Sequence, residues 1–374
     1  MPRSAQFHSS EDARRIAKRR LPWMVFDYID GAAGEEHGAK LNCQAIQDIR
    51  FRPRVLVDVS KRDYSVELFG EVKGAPYGIT PMGMCNLSAP DADLMLARLA
   101  AKHSIPTCVS TVASTPLETM LEAADGNAWF QLYFSGDGTG ALKLVERAKH
   151  AGYDVLVLTV DVPEVGRRPR ELRYGFKMPF RIGPRQFMDF ALHPHWSLAT
   201  LFAGQPQLAN FDGKDYVFDR TESRAAADWS YFARLRDAWP GKLVVKGVLD
   251  VEDALRLQNA GADAIQIFSH GGRQLDGAPP PILALKAIRD AIDPEYPLFY
   301  DTGIRSGEDV VKAYAMGANY VFLGRIMQYA IAAGGSAGLD KLWDILGEEA
   351  GLTLAQVGKT NFAQLNEVVA NELE

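Results

Sequence analysis

Three times the chain ends a helical stretch on glycine and enters an apolar run two or three residues later: Ala151-Gly152-Tyr153-Asp154, Ala260-Gly261-Ala262-Asp263 and Met316-Gly317-Ala318-Asn319. Glycine suits the left-handed position just past a helix end. The runs that follow, 155–160, 264–268 and 320–323, are continuous rather than alternating. Strands of that kind are buried on both faces, as in a parallel sheet covered by helices. Reading outward from them gives eight candidate strands, near 77–81, 107–112, 129–134, 155–161, 243–247, 264–269, 298–301 and 320–324. Helical patterns separate them, for example 92–102, 140–151, 251–260 and 307–316. Eight strands alternating with helices predict an α/β fold closed into a TIM (β/α)8 barrel, with an open doubly wound sheet as the alternative. No G-x-G-x-x-G follows the first strand, which favours the barrel.

A single such barrel accommodates the 374 residues, so one domain is expected over 1–374. Residues 1–75 form an N-terminal extension, read as one or two helices ending near Gly31 and then an irregular segment around Phe51-Arg52-Pro53-Arg54. The barrel occupies 76–335, and 336–374 adds C-terminal helices. The insertion 164–225 after the fourth strand is long enough to be a lid or a binding element. The net charge of −6 excludes nucleic acid as the main partner, because neutralising phosphates needs a basic surface. The basic run from Arg14 to Arg20 reads as the solvated face of a helix. Cys43, Cys85 and Cys108 are scattered, with neither metal-ligand nor disulfide spacing, so no metal is expected and a cytoplasmic, reducing setting fits. No stretch approaches the roughly 18 uninterrupted apolar residues of a spanning helix.

Active sites of this fold sit at the C-terminal ends of the strands. Those ends carry Gln131 and Tyr133, Thr159 and Asp161 with Arg167 and Arg168 beyond, Lys246, His270 with Arg273, Asp301 with Gly303 and Arg305, then Gly324 with Arg325. A polar rim is ordinary for a barrel. A carboxylate, a lysine, a histidine and an arginine ending four nearby strands are not. The loops after strands seven and eight are the usual phosphate cradle. Their glycines let backbone N–H groups approach an anion, and Arg305 and Arg325 add charged donors. The helix beginning near Gly307 is expected to aim its N-terminus at the same anion. Of the seven histidines, only His270 combines a strand end with two glycines and a following arginine.

At Ser269-His270-Gly271-Gly272-Arg273-Gln274-Leu275-Asp276 the chain resembles the FMN-dependent 2-hydroxy acid dehydrogenase and oxidase family. The resemblance covers nearly the whole chain. Supporting segments are Leu21-Pro22 with Asp27-Tyr28, Gln131-Leu132-Tyr133, Thr159-Val160-Asp161-Val162-Pro163, Gly166-Arg167-Arg168, Val245-Lys246-Gly247 and Asp301-Thr302-Gly303-Ile304-Arg305. It implies an FMN enzyme that oxidises an (S)-2-hydroxy acid to the 2-oxo acid. In that reading His270 is the base and Asp161 charges its imidazole. Arg168 and Arg273 bind the substrate carboxylate with Tyr28, and Tyr133 contacts the hydroxyl. Lys246 sits by the flavin N1–C2=O locus. Pro81, Met82, Gly83, Ser110, Gln131 and Thr159 line the isoalloxazine. Asp301, Gly303, Arg305, Gly324 and Arg325 hold the ribityl phosphate. The chemistry agrees: a two-electron reduced flavin is anionic and gains from a nearby lysine. A base titrating near neutrality suits histidine.

Some positions depart from the family pattern. Val112 stands where glycolate oxidase has tryptophan, which implies a mandelate- or lactate-like substrate larger than glycolate. Phe268 stands where the family usually has serine, removing a polar group near the flavin. Gly83 replaces the alanine usual in oxidases and matches the mandelate dehydrogenase type. The insertion, through Leu192–Leu198 and Pro206–Phe211, also looks like mandelate and lactate dehydrogenases. In those relatives this region contacts the membrane, where quinones accept electrons. The segment 187–202 is therefore a candidate for peripheral contact with the inner face of the cytoplasmic membrane, the alternative being a lid packed on its own barrel or a neighbouring subunit. Relatives are often tetramers, so a homo-oligomer is expected. Competing readings are an oxidase releasing hydrogen peroxide, a flavin-binding barrel without this activity, and a flavin-using isomerase.

Overall fold

The computed structural model describes residues 6–134, 136–176, 182–211 and 224–370. A short antiparallel hairpin, β1 (Val66–Leu68) and β2 (Glu71–Lys73), precedes the barrel strands. These are β3 (Tyr77–Ile79), β4 (Thr107–Ser110), β5 (Ala128–Tyr133), β6 (Val155–Thr159), β7 (Lys242–Val248), β8 (Ala264–Ile267), β9 (Leu298–Asp301) and β10 (Tyr320–Leu323). They pair in parallel, in sequence order, and β10 closes on β3. The eight predicted strands are all present, each ending within two residues of its expected limit. The repeat that opened the sequence reading has the predicted backbone: Gly152, Gly261 and Gly317 have φ of 98°, 87° and 107°.

The barrel interior divides along its axis. The N-terminal half is filled by Trp129, Val157, Val244, Phe299 and Phe322. The β1–β2 hairpin stops that end, with Leu68 buried in the cluster and Phe69 edge-on to Phe299 at 5.6 Å between ring centres. The outer core lies between strands and helices, where continuous apolar strands meet amphipathic helices such as Ala92–His103 and Gly307–Ala315. Apolar packing below leaves polar side chains to the opposite rim.

The N-terminal extension differs from expectation. It forms three helices, Ser10–Arg20, Trp23–Asp30 and His37–Asp48, and the hairpin follows. The third helix has no capping hydrogen bond at its start: its N-cap residue, Glu36, sits at φ 65° and is not one of the usual capping types, so no start signal marked it. The basic run is only partly solvated. Arg14 reaches Asp30 at 2.5 and 3.0 Å, and Arg20 donates to the Ala333 carbonyl, so this helix is fastened to the C-terminal region. In the insertion, helices Pro184–Leu192 and Pro194–Ala203 sit against the rim. Asp189 accepts the Trp23 and Met24 N–H groups at 2.9 and 3.2 Å, capping the second helix from outside. Trp196 donates to the Leu87 carbonyl at 2.7 Å.

Candidate active site

Beyond β8 the backbone turns through three successive left-handed residues, His270, Gly271 and Gly272, with φ of 54°, 63° and 76°. Such a conformation costs a non-glycine residue roughly 1–2 kcal/mol, so the turn must be held from outside. The helix His37–Asp48 does this. Asn42 donates to the Ser269 hydroxyl at 3.0 Å, and a Cβ on Gly272 would lie 2.7 Å from the Ala39 nitrogen. The strained turn aims the imidazole: Nδ1 of His270 lies 3.0 Å from Oδ1 of Asp161. Asp161 arrives from β6 through an opening made by Gly247, where φ is 107° and β7 carries a bulge. With Nδ1 engaged, Nε2 is the ring atom left for chemistry, and His270 lines a cavity of about 390 Å³, within the size range of small-ligand sites.

Arg168 and Arg273 line the same cavity and share a carboxylate. Glu171 accepts from Arg273 at 2.8 Å and lies 3.4 Å from Arg168. Arg273 also donates to the Tyr28 and Gly31 carbonyls at 2.6 and 2.8 Å, and Arg168 to the Arg273 carbonyl at 3.0 Å. Each guanidinium has five N–H donors, so both keep donors to spare after these bonds. Burial, with repulsion from Arg273, lowers the Arg168 pKa to about 10. The pair and Glu171 together carry one net positive charge, which matches one carboxylate. Tyr133 and Tyr28 stand on the same wall. Burial, reinforced by Asp161, raises the Tyr133 phenol well above its ordinary value, so it stays a neutral donor.

A second layer lies behind the cavity surface. Ser110 donates to Gln131 at 3.2 Å, and Gln131 to Thr159 at 3.0 Å. Lys246, 1% exposed, donates to Thr80 at 3.0 Å and to Asp301. Asp301 also takes bonds from Thr80 and, at 3.3 Å, from Gln266. Asp301 lines the cavity beside Gly303 and Arg305, and its Oδ2 is the atom that Lys246 and Thr80 engage. Ser110, Gln131, Thr159 and Lys246 do not line the cavity, whereas Phe268 does.

At the other end, Arg305 and Arg325 line the cavity beside Gly303 and Gly324. Among the described residues neither arginine forms an ion pair. Arg325 donates to the Ile29 and Gly31 carbonyls at 3.3 and 3.0 Å, and Arg305 to the Ile304 carbonyl at 2.8 Å. Burial, with Arg305 and Arg273 adding repulsion, lowers the Arg325 pKa to about 10. Two cations close together with no carboxylate bonded to either guanidinium call for an anion, and a phosphate meets that need. The helix Gly307–Ala315 does not help as expected. Its N-terminus is closed by the Ser306–Asp309 capping box, and Gly307 N–H donates to Glu349 at 2.7 Å. The helix Arg325–Gln356 takes that place: it starts on the cavity wall at Gly324 with no side-chain cap, so its first N–H groups are available to an anion. Pro81, Met82 and Gly83 line the same cavity with apolar groups. A Cβ on Gly83 would lie 2.5 Å from Cγ2 of Val112, so these two positions interlock. An anion-binding end, an apolar wall and a polar second layer fit FMN.

Sequence reasoning missed Glu171, Arg224, Leu208 and Gln328 as wall residues. Glu171 carried a usable signal, since it lies three residues after Arg168 at helical spacing. Leu208 and Arg224 gave none, because they belong to the irregular insertion. The insertion is moored locally: Ala209 N–H donates to the Ala113 carbonyl at 3.0 Å, and Asn210 Oδ1 accepts Leu117 N–H at 2.9 Å.

Comparison with known proteins agrees with this geometry. The family model for FMN-dependent dehydrogenases matches residues 17–372. (S)-Mandelate dehydrogenase of Pseudomonas putida is 40% identical over 375 residues, covering 97% of this chain and 93% of that protein. L-lactate dehydrogenase of Acinetobacter baumannii is 37% identical over 373 residues, covering 96% of each. Among solved structures, one described as the monotopic membrane protein (S)-mandelate dehydrogenase superposes with a TM-score of 0.92 at 39% identity, covering 98% of this chain and 100% of that one. A mandelate oxidase variant solved with (S)-mandelic acid gives a TM-score of 0.85 at 33% identity and 99% coverage of both. With the cavity, the matched length and the identity in agreement, this chain belongs to the FMN-dependent dehydrogenase family.

Proposed function

We propose that this protein oxidises an (S)-2-hydroxy acid with a mandelate- or lactate-like side chain to the 2-oxo acid. The observation that carries the reading is the convergence on one cavity of His270, held from behind by Asp161, and the Arg168–Arg273 pair. Bound FMN supplies the two-electron acceptor. Arg168 and Arg273 take the substrate carboxylate by paired charged hydrogen bonds and fix the α-carbon. Tyr133, a neutral phenol, donates toward the hydroxyl oxygen. The proton lost by the substrate goes to Nε2 of His270, and Asp161 stabilises the resulting imidazolium through Nδ1. Val112 and Leu208 bound the side-chain space with apolar groups. Arg305 and Arg325 hold the FMN phosphate, and Pro81, Met82 and Gly83 face the ring. The test is anaerobic: the yellow protein is mixed with a panel of (S)-2-hydroxy acids and flavin absorbance is followed. Rapid bleaching by one acid supports the reading, and no bleaching by any of them refutes it.

We further propose a quinone or another carrier as electron acceptor, reached at a membrane surface. Helices Pro184–Leu192 and Pro194–Ala203 turn Phe187, Met188, Leu192, Leu201 and Phe202 outward, with Phe202 86% exposed. Apolar residues grouped in this way suit an interface, and a 39% identical relative is described as monotopic. No helix among the described residues is long and apolar enough to cross a membrane. Sedimentation with anionic lipid vesicles, lost on replacing Leu201 and Phe202 by serine, tests the contact. Stoichiometric hydrogen peroxide at full speed in air would instead establish the oxidase.

A further inference from the structure

Phe268 and Lys246 have a relationship that the family reading does not contain. The Lys246 ammonium lies 3.3 Å from the centre of the Phe268 ring, well inside the range of a cation–π contact. An ammonium has three N–H donors. One goes to Thr80 at 3.0 Å and one to Asp301, and the third side of the nitrogen faces the ring. The lysine side chain is 2% exposed and is paired with a carboxylate that is itself 6% exposed. Phe268 lines the cavity and Lys246 does not. The ring also tilts toward the imidazole, 5.2 Å from it between centres.

We propose that Phe268 is a positioning residue that holds the Lys246 ammonium against its ring face and so screens it from the electron-accepting edge of the flavin. The inference rests on the FMN reading above. Converting a 2-hydroxy acid to a 2-oxo acid releases two electrons and two protons. The flavin takes both electrons and one proton, the base takes the other, and a negative charge remains on the pyrimidine edge of the ring. An ammonium turned toward that edge stabilises the charge. An ammonium already balanced by Asp301 and covered by an aromatic face stabilises it less. The bound flavin is then a weaker oxidant, and once reduced a stronger donor to its next acceptor. A serine at 268 would leave the ammonium's third donor free to face the cavity.

Sulfite provides the test, because its lone pair forms a bond to the flavin ring and the added electron pair leaves the same negative charge on that edge. The FMN-loaded protein is titrated with sulfite, and its reduction potential is measured against reference dyes. In Phe268→Ser, sulfite should bind at least tenfold more tightly and the potential should rise. Phe268→Tyr keeps the ring face and should stay within threefold of the parent. A Phe268→Ser protein within threefold of the parent overturns the inference, as does a Tyr variant that shifts as far as Ser. If the Ser variant does not fold, Phe268→Leu decides: it keeps the bulk without the aromatic face and should tighten sulfite at least threefold, with no change counting against the proposal. A parent protein that binds no FMN at all would instead sink the functional reading, so the two failures are distinguishable.

Discussion

Replacing Gly247 with alanine should disable the base while leaving substrate recognition intact. The new Cβ would stand 2.7 Å from Cβ and 2.8 Å from Cγ of Asp161, against about 3.5–4.0 Å for carbon atoms in comfortable contact. The backbone adds its own cost, since a φ of 107° is unfavourable for an L side chain by roughly 1–3 kcal/mol. The overlap is relieved most directly if Asp161 withdraws by about 1 Å, which takes its 3.0 Å bond to His270 outside hydrogen-bond range. A hydrogen bond to a charged group is worth about 1.5–3 kcal/mol, or roughly 10- to 100-fold in rate. A misplacement of this size alone can cost on the order of 100-fold. The anaerobic flavin reduction rate should therefore fall about 100-fold. Substrate affinity should move less than about threefold, since Arg168 and Arg273 are held by Glu171 and by backbone carbonyls rather than by this strand. Stopped-flow reduction across a substrate range separates the two quantities. A reduction rate within threefold of the parent would refute the reasoning, and so would a loss appearing wholly in affinity.

Three other outcomes are expected. Arg325→Met should weaken FMN binding to the apoprotein by about 10- to 100-fold, the worth of a charged hydrogen bond, as read by fluorescence quenching; unchanged affinity would remove Arg325 from the phosphate end. Glu171→Gln raises the net charge beside the substrate carboxylate from one to two, so oxalate should bind about tenfold more tightly at low salt while a monocarboxylate gains less; spectral titration of the bound flavin checks the order. Asp93 is buried, and this burial raises its carboxyl pKa to about 6 despite bonds from Cys85, Ser114 and Thr115. The folded chain then holds that proton more tightly than the unfolded one, so its contribution to stability is greatest below about pH 4 and declines as pH rises through about 6. Asp93→Asn should flatten the dependence of the melting temperature between these limits, and an unchanged slope would show that the carboxyl does not titrate there.

How much of this was legible in the sequence depended on how local its cause was. The strands could be read because apolar runs bounded by Gly152, Gly261 and Gly317 state both their burial and their direction of entry. His270 itself stood out for a similar reason: a strand end, two glycines and an arginine fall within four residues. The third N-terminal helix was not visible, since it starts on Glu36 in a left-handed conformation and is stabilised by the barrel turn it packs against. The role of the Gly307 helix was misread because its cap comes partly from Glu349, 42 residues away. The Lys246–Asp301 pair was not foreseen for the same kind of reason, as the partners of Asp301, Lys246 and Thr80, come from β7 and from just past β3. Side chains assembled from distant strands leave no periodicity to read.

The outward-facing insertion helices and the substrate arginine share one strut. Asp189, in the insertion, grips the first two N–H groups of the helix Trp23–Asp30, and the far end of that helix offers the Tyr28 carbonyl to Arg273. A tug on the exposed surface therefore reaches the carboxylate clamp through a rigid rod of eight residues. If the proposed docking surface and carboxylate clamp are right, anchorage and grip on the substrate are mechanically joined through this helix.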